Sequence, residues 1–195
     1  MGRYGSGKGT QSELLIKALE KSDPSHPALY VQTGQEFRKF FQEEGYTAKL
    51  SKKIIENGGL MPEFMCVYMW GRLISDDYRG TQNLVFDGTP RKLQEAKMLE
   101  GLFPFYGLEN PWVIYLHVEH EESHKRLTIR ARSSGRADDG PEQIQNRRTA
   151  YETDIVPTVE YYRTNTNSKV NFLDINGERT IEEIHQDIVK RIGLR

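Results

Sequence analysis

The sequence predicts an α/β fold in which helices cover both faces of a parallel β-sheet, forming three layers. Short apolar segments rich in β-branched and aromatic residues alternate with longer segments of helical periodicity, which is typical of parallel strands joined by crossover helices. The chain has 195 residues, within the usual range for one domain, and no linker or internal repeat divides it. We therefore expect a single domain over residues 1–195.

The elements follow one another in a regular order. The first helix is expected where Leu14, Leu15, Ala18 and Leu19 recur at helical spacing. Four strands are expected where apolar runs stop at glycine, proline or polar residues, and they lie at residues 28–32, 83–87, 112–118 and 170–175. Further helices are expected near residues 34–43, 46–57, 62–78, 92–102, 119–131, 141–163 and 180–192. Pro157 should kink the helix over residues 141–163.

The charge balance and the cysteine count exclude several classes of protein. The 27 basic and 28 acidic side chains give a net charge of −1, so no overall field attracts nucleic acid or an anionic membrane. Cys66 is the single cysteine, which excludes an internal disulfide and a zinc site built on cysteine pairs. A membrane span needs about 20 apolar residues, far more than any run here. We expect a cytoplasmic monomer with no nucleic-acid or membrane partner.

A glycine-rich segment, GRYGSGKGT over residues 2–10, opens the first predicted helix. Its glycines leave backbone N–H groups accessible and the helix dipole adds positive potential, so phosphate oxygens would bind there beside Lys8. An ordinary flexible turn is the alternative, but the direct passage into an amphipathic helix disfavours it. Gly9 stands where a serine or threonine usually supplies a hydroxyl to Mg²⁺, so the metal would depend on nucleotide oxygens and water.

The strand that usually precedes such a loop is missing, because only Met1 stands before Gly2 in this sequence. A phosphate-binding loop of this kind ordinarily follows a buried central strand. We therefore interpret the start as truncated or misassigned. Four strands should be visible, with a fifth supplied by residues outside this sequence.

Charged residues point to two further functional positions. Asp87 ends a buried apolar strand, where a carboxylate is costly unless it meets a cation or a hydrogen-bond donor. Holding a Mg²⁺-bound water fits this position, and a helix cap is the alternative. Arginines, whose planar guanidinium groups bind phosphate at two points, are concentrated later in the chain. They are Arg126, Arg130, Arg132, Arg136, Arg147 and Arg148.

Five segments, in order along the chain, resemble the motifs of adenylate kinases, a branch of the nucleoside monophosphate kinases. Residues 2–11 resemble the phosphate loop, residues 33–38 the acceptor motif, and GGLMP at 58–62 the family's GxLVP turn. DGTPR at 87–91 resembles the DGFPR motif, and residues 135–162 resemble the lid and the following helix. The lid is of the short form without zinc-binding cysteines, and the resemblance extends from Gly2 to about Gly193.

This resemblance implies a P-loop fold with two mobile insertions, an NMP-binding insertion near residues 33–62 and a short lid near residues 126–139. It also implies Mg²⁺-dependent phosphoryl transfer, ATP + AMP ⇌ 2 ADP, with Asp87 holding Mg²⁺ through water. The implied catalytic residues are Lys8, Arg91, Arg130, Arg136 and Arg147. The implied ATP-binding residues are Gly5, Ser6, Gly7, Lys8, Gly9, Thr10, Arg126 and Gly177. The implied AMP-binding residues are Thr33, Gly34, Arg38, Gly58, Leu60, Met61, Gly88, Arg91, Glu95, Arg136 and Arg147.

Arg132 and Arg148 match no motif position, so we expect them to form surface ion pairs at helical spacing. Three other residues differ from the family pattern. Tyr4 replaces a proline in the loop, and Gln35 replaces an aspartate, which would weaken the order of the Mg²⁺ water shell. Glu95 stands where adenine-reading members carry glutamine.

Glu95 raises a question about the acceptor base. An ionised carboxylate only accepts hydrogen bonds, whereas a glutamine amide both donates and accepts. Glu95 would therefore suit the two N–H groups of guanine, or would have to be protonated to read adenine. If Glu95 is ionised at the base edge, we expect Glu95→Gln to improve the use of AMP near neutral pH.

Two alternatives to an ATP:AMP phosphotransferase remain open at this point. One is a nucleoside monophosphate kinase that accepts GMP or a pyrimidine nucleotide. The other is a nucleotide-binding remnant with impaired catalysis, since the first strand is missing. Retention of Lys8, Arg91, Arg136 and Arg147 speaks against the remnant.

Overall fold

The computed structural model describes residues 1–57, 59–134, 141–165 and 169–194. The strands are β1 (Ala28–Gln32), β2 (Asn83–Asp87), β3 (Trp112–His117) and β4 (Asn171–Asn176). The helices are α1 (Lys8–Ser22), α2 (Thr33–Phe40), α3 (Tyr46–Glu56), α4 (Glu63–Asp77), α5 (Leu93–Phe105), α6 (His120–Ser134), α7 (Pro141–Ala150), α8 (Val156–Thr164) and α9 (Ile181–Arg191). The predicted α/β order is confirmed over these residues.

The strands form two parallel pairs. In the first pair Ala28 lies opposite Asn83 and Gln32 opposite Asp87, so β1 and β2 end together. In the second pair Trp112 lies opposite Asn171, and β3 and β4 likewise end together. In each pair the carboxyl ends of the two strands therefore lie at one edge of the sheet. Ligands bind at this edge in open α/β sheets.

The start of the chain adds a single bridge to this arrangement and no further strand. Gly2 pairs in parallel with Leu116 of β3, and the backbone N–H of Leu116 donates to the Met1 carbonyl at 2.9 Å. The prediction of four strands is confirmed for the part of the chain that the structure describes.

A cavity of about 470 Å³ separates the two strand pairs. Residues 83–87 of β2 line one side, and Trp112, Val113 and Ile114 of β3 line the other. Helix α1 spans this gap, because it packs against β1 and β2 and also against α9.

Each strand pair has an apolar core of its own. Val31 of β1 packs with Trp70 and Ile74 of α4 and with Leu99 and Leu102 of α5. On the other side, Leu173 and Ile175 alternate with outward-facing residues along β4, as expected for a strand with one covered face. The second core consists of Leu116, Leu173, Ile175, Ile184 and Ile188.

Helices α2 and α3 and the start of α4 are organised around a third cluster. Phe37 of α2 packs there with Met61, Met65 and Met69. This cluster lies beside the end of β1, because α2 begins directly after that strand at Thr33.

The helix predicted over residues 141–163 is interrupted. A kink at Pro157 was expected, and the structure instead has a change of helix type before that proline. Residues Tyr151–Ile155 form a π-helical turn between α7 and α8, and Pro157 lies in the first turn of α8. Proline lacks a backbone N–H and cannot complete the regular ladder. The widened turn places Tyr151 and Ile155 in a buried cluster with Tyr115 and Val159.

Among the described residues, no helix is both long and apolar enough to cross a lipid bilayer.

The second core should tolerate truncation poorly. Ile184 is 4% exposed, whereas Ile181 on the same helix is 50% exposed. Ile184→Ala leaves a cavity against β4 and should lower the free energy of unfolding by about 2–5 kcal/mol. Ile181→Ala is the matched control and should change it by about 0.5 kcal/mol or less. Equal losses in the two variants, measured by denaturant unfolding, would contradict this description of the core.

Candidate active site

The glycine-rich segment turns sharply into α1. Gly5 and Gly7 adopt φ values of +77° and +91°, a region that side chains other than glycine enter at a cost. A Cβ at Gly5 would lie 3.0 Å from the carbonyl oxygen of Ser123. The turn therefore brings the loop against α6 and leaves the first N–H groups of α1 available to an anion. Ser6 is buried in this turn, Gly9 is partly covered and Thr10 is exposed.

Lys8 lies across the loop that precedes it. Its Nζ donates to the carbonyl oxygens of Gly2, at 3.0 Å, and Arg3, at 2.7 Å. Burial lowers the pKa of Lys8 to about 8, although the nearby Asp87 carboxylate opposes the change. Three guanidinium groups lower the pKa of Lys8 further, and they belong to Arg91, Arg130 and Arg147. Four of the five predicted catalytic residues are thus brought together, and the fifth, Arg136, lies outside the described residues.

Asp87 faces the start of α1 from the end of β2. Its Oδ2 accepts a hydrogen bond from the Tyr30 hydroxyl at 3.1 Å and one from Gln32 Nε2 at 3.4 Å. The same oxygen lies 3.5 Å from the position of a Cβ on Gly9. The residue that caps the start of α5 is Lys92, so Asp87 is not the N-cap of that helix.

Two predicted ATP-binding residues that are far apart in the sequence contact one another. Arg126 Nη1 donates to the Gly177 carbonyl at 2.9 Å, and Arg126 Nε donates to Glu122 at 2.7 Å. Gly177 follows β4, and a Cβ there would lie 2.7 Å from Val118. A side chain at this position would therefore push the Arg126 contact away.

Seven of the eleven predicted AMP-binding residues line a small cavity of about 40 Å³, and Arg38 and Arg147 do not line it. Gly88, with φ of +82°, allows a close approach, because a Cβ there would lie 3.2 Å from both Arg91 Nη2 and Thr33 Oγ1. Arg38 is exposed, and its Nη1 lies 3.6 Å from the position of a Cβ on Gly34. The predicted residues that line the cavity are Thr33, Gly34, Leu60, Met61, Gly88, Arg91 and Glu95. Gly58 lies outside the described residues.

Arg91 is held by groups from two segments of the chain. Its Nε donates to the Gly88 carbonyl at 2.8 Å, and its Nη1 donates to the Tyr4 hydroxyl at 2.8 Å. The guanidinium carbon of Arg147 lies 4.6 Å from the centre of the Tyr4 ring, and that of Arg91 lies 5.1 Å away. Sequence reasoning treated Tyr4 as a lost proline and missed this role. An aromatic residue in a loop surrounded by arginines was the available signal.

Glu95 is buried in the wall of the 40 Å³ cavity, here called the acceptor cavity after the AMP-binding role predicted for its lining residues, with 1% of its surface exposed. Its Oε2 accepts a hydrogen bond from the Arg91 backbone N–H at 2.8 Å, and its Oε1 lies 3.0 Å from Thr89 Oγ1. Burial raises the pKa of Glu95 above its usual range, against hydrogen bonds and the Arg91 charge that lower it. The neighbouring Gln94 is exposed.

Arg148 forms the surface pair that its spacing predicted, with Nε 3.2 Å from Glu152 Oε1. The side chain of Arg132 and all of Arg136 lie outside what the structure describes. The predicted lid over residues 126–139 begins within α6, and its remainder, from residue 135, is likewise outside.

A phosphate-binding loop, a cluster of cations and an acceptor cavity at the strand ends define a nucleotide phosphotransferase of the P-loop class. Comparison with known proteins identifies the family. A family model described as adenylate kinase matches residues 1–167, and the chain belongs to the adenylate kinase family. It is a nucleoside monophosphate kinase.

Several adenylate kinases are similar to this chain along almost its whole length. The protein from Parabacteroides distasonis is 36% identical over 192 residues, covering 98% of this chain and 95% of its own. The proteins from Azobacteroides pseudotrichonymphae and Bacteroides fragilis are 32% and 33% identical, again over 98% of this chain and 94% and 95% of their own. Their shared name favours an adenylate kinase over a kinase for GMP or pyrimidine nucleotides.

Gly177→Ala should damage the donor side selectively. The added methyl group meets Val118 Cγ2 and the His117 carbonyl, so the variant should lose about 1–3 kcal/mol of unfolding free energy. Its KM for ATP should rise above that of the unmodified chain, and this rise should be larger than any rise in its KM for AMP. Gly101→Ala is the control, since a Cβ there meets nothing within 4 Å. Unchanged stability and unchanged KM for ATP in Gly177→Ala, by denaturant unfolding and steady-state kinetics, would contradict this geometry.

Proposed function

We propose that this site transfers the γ-phosphoryl group of Mg²⁺-bound ATP to AMP, giving two molecules of ADP. The observation that carries the proposal is that Arg91, Arg130 and Arg147 lie close enough to Lys8, in the glycine loop, for their charges to lower its pKa. Phosphoryl transfer needs little covalent chemistry from a protein. Its main requirements are that two anions are aligned and that the charge on the equatorial oxygens is neutralised.

On the donor side, residues Gly5 to Thr10 would hold the ATP phosphates through backbone N–H groups and the dipole of α1. Lys8 would exchange its bonds to the loop carbonyls for bonds to phosphate oxygens. Arg126 and Gly177, which contact one another, would lie against the adenine ring.

On the acceptor side, Arg38 and Arg91 would bind the phosphate of AMP, and Thr33, Leu60 and Met61 would surround its base and ribose. Gly34, Gly58 and Gly88 would let the backbone approach the nucleotide. Arg130, Arg136 and Arg147 would reach the transferring group, since a guanidinium can contact two phosphate oxygens at once. The segments near residues 33–62 and 126–139 would act as the two closing insertions, which exclude water during transfer.

Asp87 fits Mg²⁺ as an outer ligand. Its oxygen faces the start of α1, and a carboxylate is a suitable hard ligand for the metal or for its water. In the described part of the chain, no group of three or more histidine, cysteine or acidic side chains could hold an ion alone. ATP phosphates and water would therefore complete the shell, and Mg²⁺ would supply charge neutralisation on the phosphates.

One chain supplies every residue in this assignment, which is consistent with a monomer.

Lys8→Ala and Arg91→Ala should each lower kcat by a factor of about 10²–10³, because each removes positive charge from a phosphate that gains charge in the transition state. Arg148→Ala is the matched control, since Arg148 forms an exposed pair with Glu152, and it should remain close to the unmodified chain. ADP formation from ATP with AMP, GMP, CMP or UMP is the assay, and circular dichroism checks the fold. Near-normal turnover in either variant, or an acceptor preference other than AMP, contradicts the proposal.

Arg136→Ala should reduce kcat more than it weakens the binding of AMP. The reason is that a lid arginine makes its contact mainly in the closed state, in which transfer occurs. Titration calorimetry gives the Kd for AMP, and steady-state kinetics give kcat. Equal losses in both quantities would mean that Arg136 serves ground-state binding alone.

A further inference from the structure

Three hydroxyl and carboxyl groups form a buried chain at the back of the acceptor cavity. Glu95 Oε1 lies 3.0 Å from Thr89 Oγ1, Thr89 Oγ1 lies 3.2 Å from Thr33 Oγ1, and Thr33 Oγ1 lies 3.3 Å from the Asp87 carbonyl oxygen. Thr33 and Thr89 are buried together with Glu95. Buried polar groups are costly when their hydrogen bonds are not made.

The number of available protons decides how this chain is arranged. The Asp87 carbonyl can only accept, so Thr33 must donate to it, and Thr89 must then donate to Thr33. Each hydroxyl has one proton, which leaves none on Thr89 for Glu95. An ionised Glu95 would take the Thr89 proton, and one of the two remaining contacts would have no hydrogen. All three contacts are made when Glu95 itself donates.

We propose that Glu95 is a neutral carboxylic acid in the folded protein near neutral pH, and that it donates its proton to Thr89. The relay then runs from Glu95 through Thr89 and Thr33 to the end of β2. The other carboxyl oxygen, Oε2, remains an acceptor and receives the Arg91 backbone N–H. Glu95 is in this sense a positioning residue for the loop between β2 and α5.

The charged side chains near Glu95 make their own contacts elsewhere. The Arg91 charge and the Lys92 backbone N–H favour the ionised form and oppose the effect of burial, but the Arg91 guanidinium donates to Gly88 and Tyr4, and the Lys92 ammonium lies 3.8 Å from Glu63. Within the described residues, no salt bridge reaches Glu95. The remaining titratable neighbours are the Cys66 thiol on α4 and the Tyr162 hydroxyl on α8, whose pKa values are raised chiefly by burial. Both neighbours are neutral near pH 7.

A consequence for the acceptor base rests on the proposed function. A neutral carboxylic acid combines a donor and an acceptor, as the amide of glutamine does, whereas a carboxylate has acceptors alone. Glu95 can therefore replace glutamine without turning the pocket into a guanine site. The expectation that Glu95 favours guanine depended on an ionised carboxylate.

Infrared difference spectra of the nucleotide-free protein test the protonation directly. The spectrum of the unmodified chain minus that of Glu95→Gln at pH 7 should contain the carbonyl band of a protonated carboxyl group. The matched control is Glu121→Gln on the exposed side of α6, whose difference spectrum should contain carboxylate bands. If Glu95→Gln fails to fold, Thr89→Val replaces it in the comparison. Loss of the hydrogen bond between Glu95 and Thr89 should then shift the carbonyl band of the protonated Glu95 carboxyl group.

Stability as a function of pH provides a second test. A carboxyl whose pKa is higher in the folded than in the unfolded state holds more protons when folded, so its contribution is complete at low pH and is lost as the pH rises. Relative to Glu95→Gln, the folded-to-unfolded equilibrium constant should fall about tenfold per pH unit above the ordinary value of 4.5. The fall should stop at the pKa of Glu95 in the folded protein.

The outcomes separate the two proposals. A carboxylate band for Glu95 at pH 7, with stability that rises with pH relative to Glu95→Gln, overturns the neutral acid even if AMP kinase activity is normal. A protonated band together with no phosphoryl transfer overturns the proposed function and leaves the neutral acid in place. When both hold, the KM for AMP should rise at high pH in the unmodified chain and stay constant in Glu95→Gln.

Discussion

The active site must hold several cations close to Lys8 in spite of their mutual repulsion, and its other contacts depend on this constraint. Arg91, Arg130 and Arg147 are close enough to lower the pKa of Lys8, and Asp87 is the nearby anion that opposes them. Neutral groups also contact these cations. Loop carbonyls accept from Lys8, and the Tyr4 ring lies against two guanidinium groups. These neutral contacts of Lys8 and Arg91 position the two side chains without cancelling their charge, which favours the binding of polyphosphate.

The fold delivers these groups to one place because parallel strands end at a common edge. Thr33 follows β1, Asp87 ends β2, and Gly177 follows β4. Helix α1 begins beside that edge and packs on both halves of the molecule across the central cavity. The glycine loop is therefore fixed by α1, by the bridge between Gly2 and β3 and by the contact of Gly5 with α6.

The features that could be predicted from the sequence are those that depend on local periodicity or on a motif. Two of the four strands follow from apolar runs that end at Thr33 and Gly88. The family resemblance assigned both Arg126 and Gly177 to ATP binding, and their contact with one another was not predicted. The partners of Tyr4 could not be predicted, because they come from α7 and from the loop after β2. The π-helical turn before Pro157 was missed for a similar reason, since packing of Tyr151 against Tyr115 is a tertiary contact that periodicity does not contain.

The two departures from the family that lie in the site meet at the same residue. Tyr4 accepts a hydrogen bond from the Arg91 guanidinium, and Glu95 accepts one from the Arg91 backbone. Gly88 supplies a third contact, so both ends of Arg91 are fixed before it meets an acceptor phosphate. Pre-ordering of this kind lowers the conformational entropy that binding must otherwise remove. A tyrosine in the glycine loop and a carboxyl in the acceptor cavity are thus linked through one arginine, and the position of that arginine depends on both.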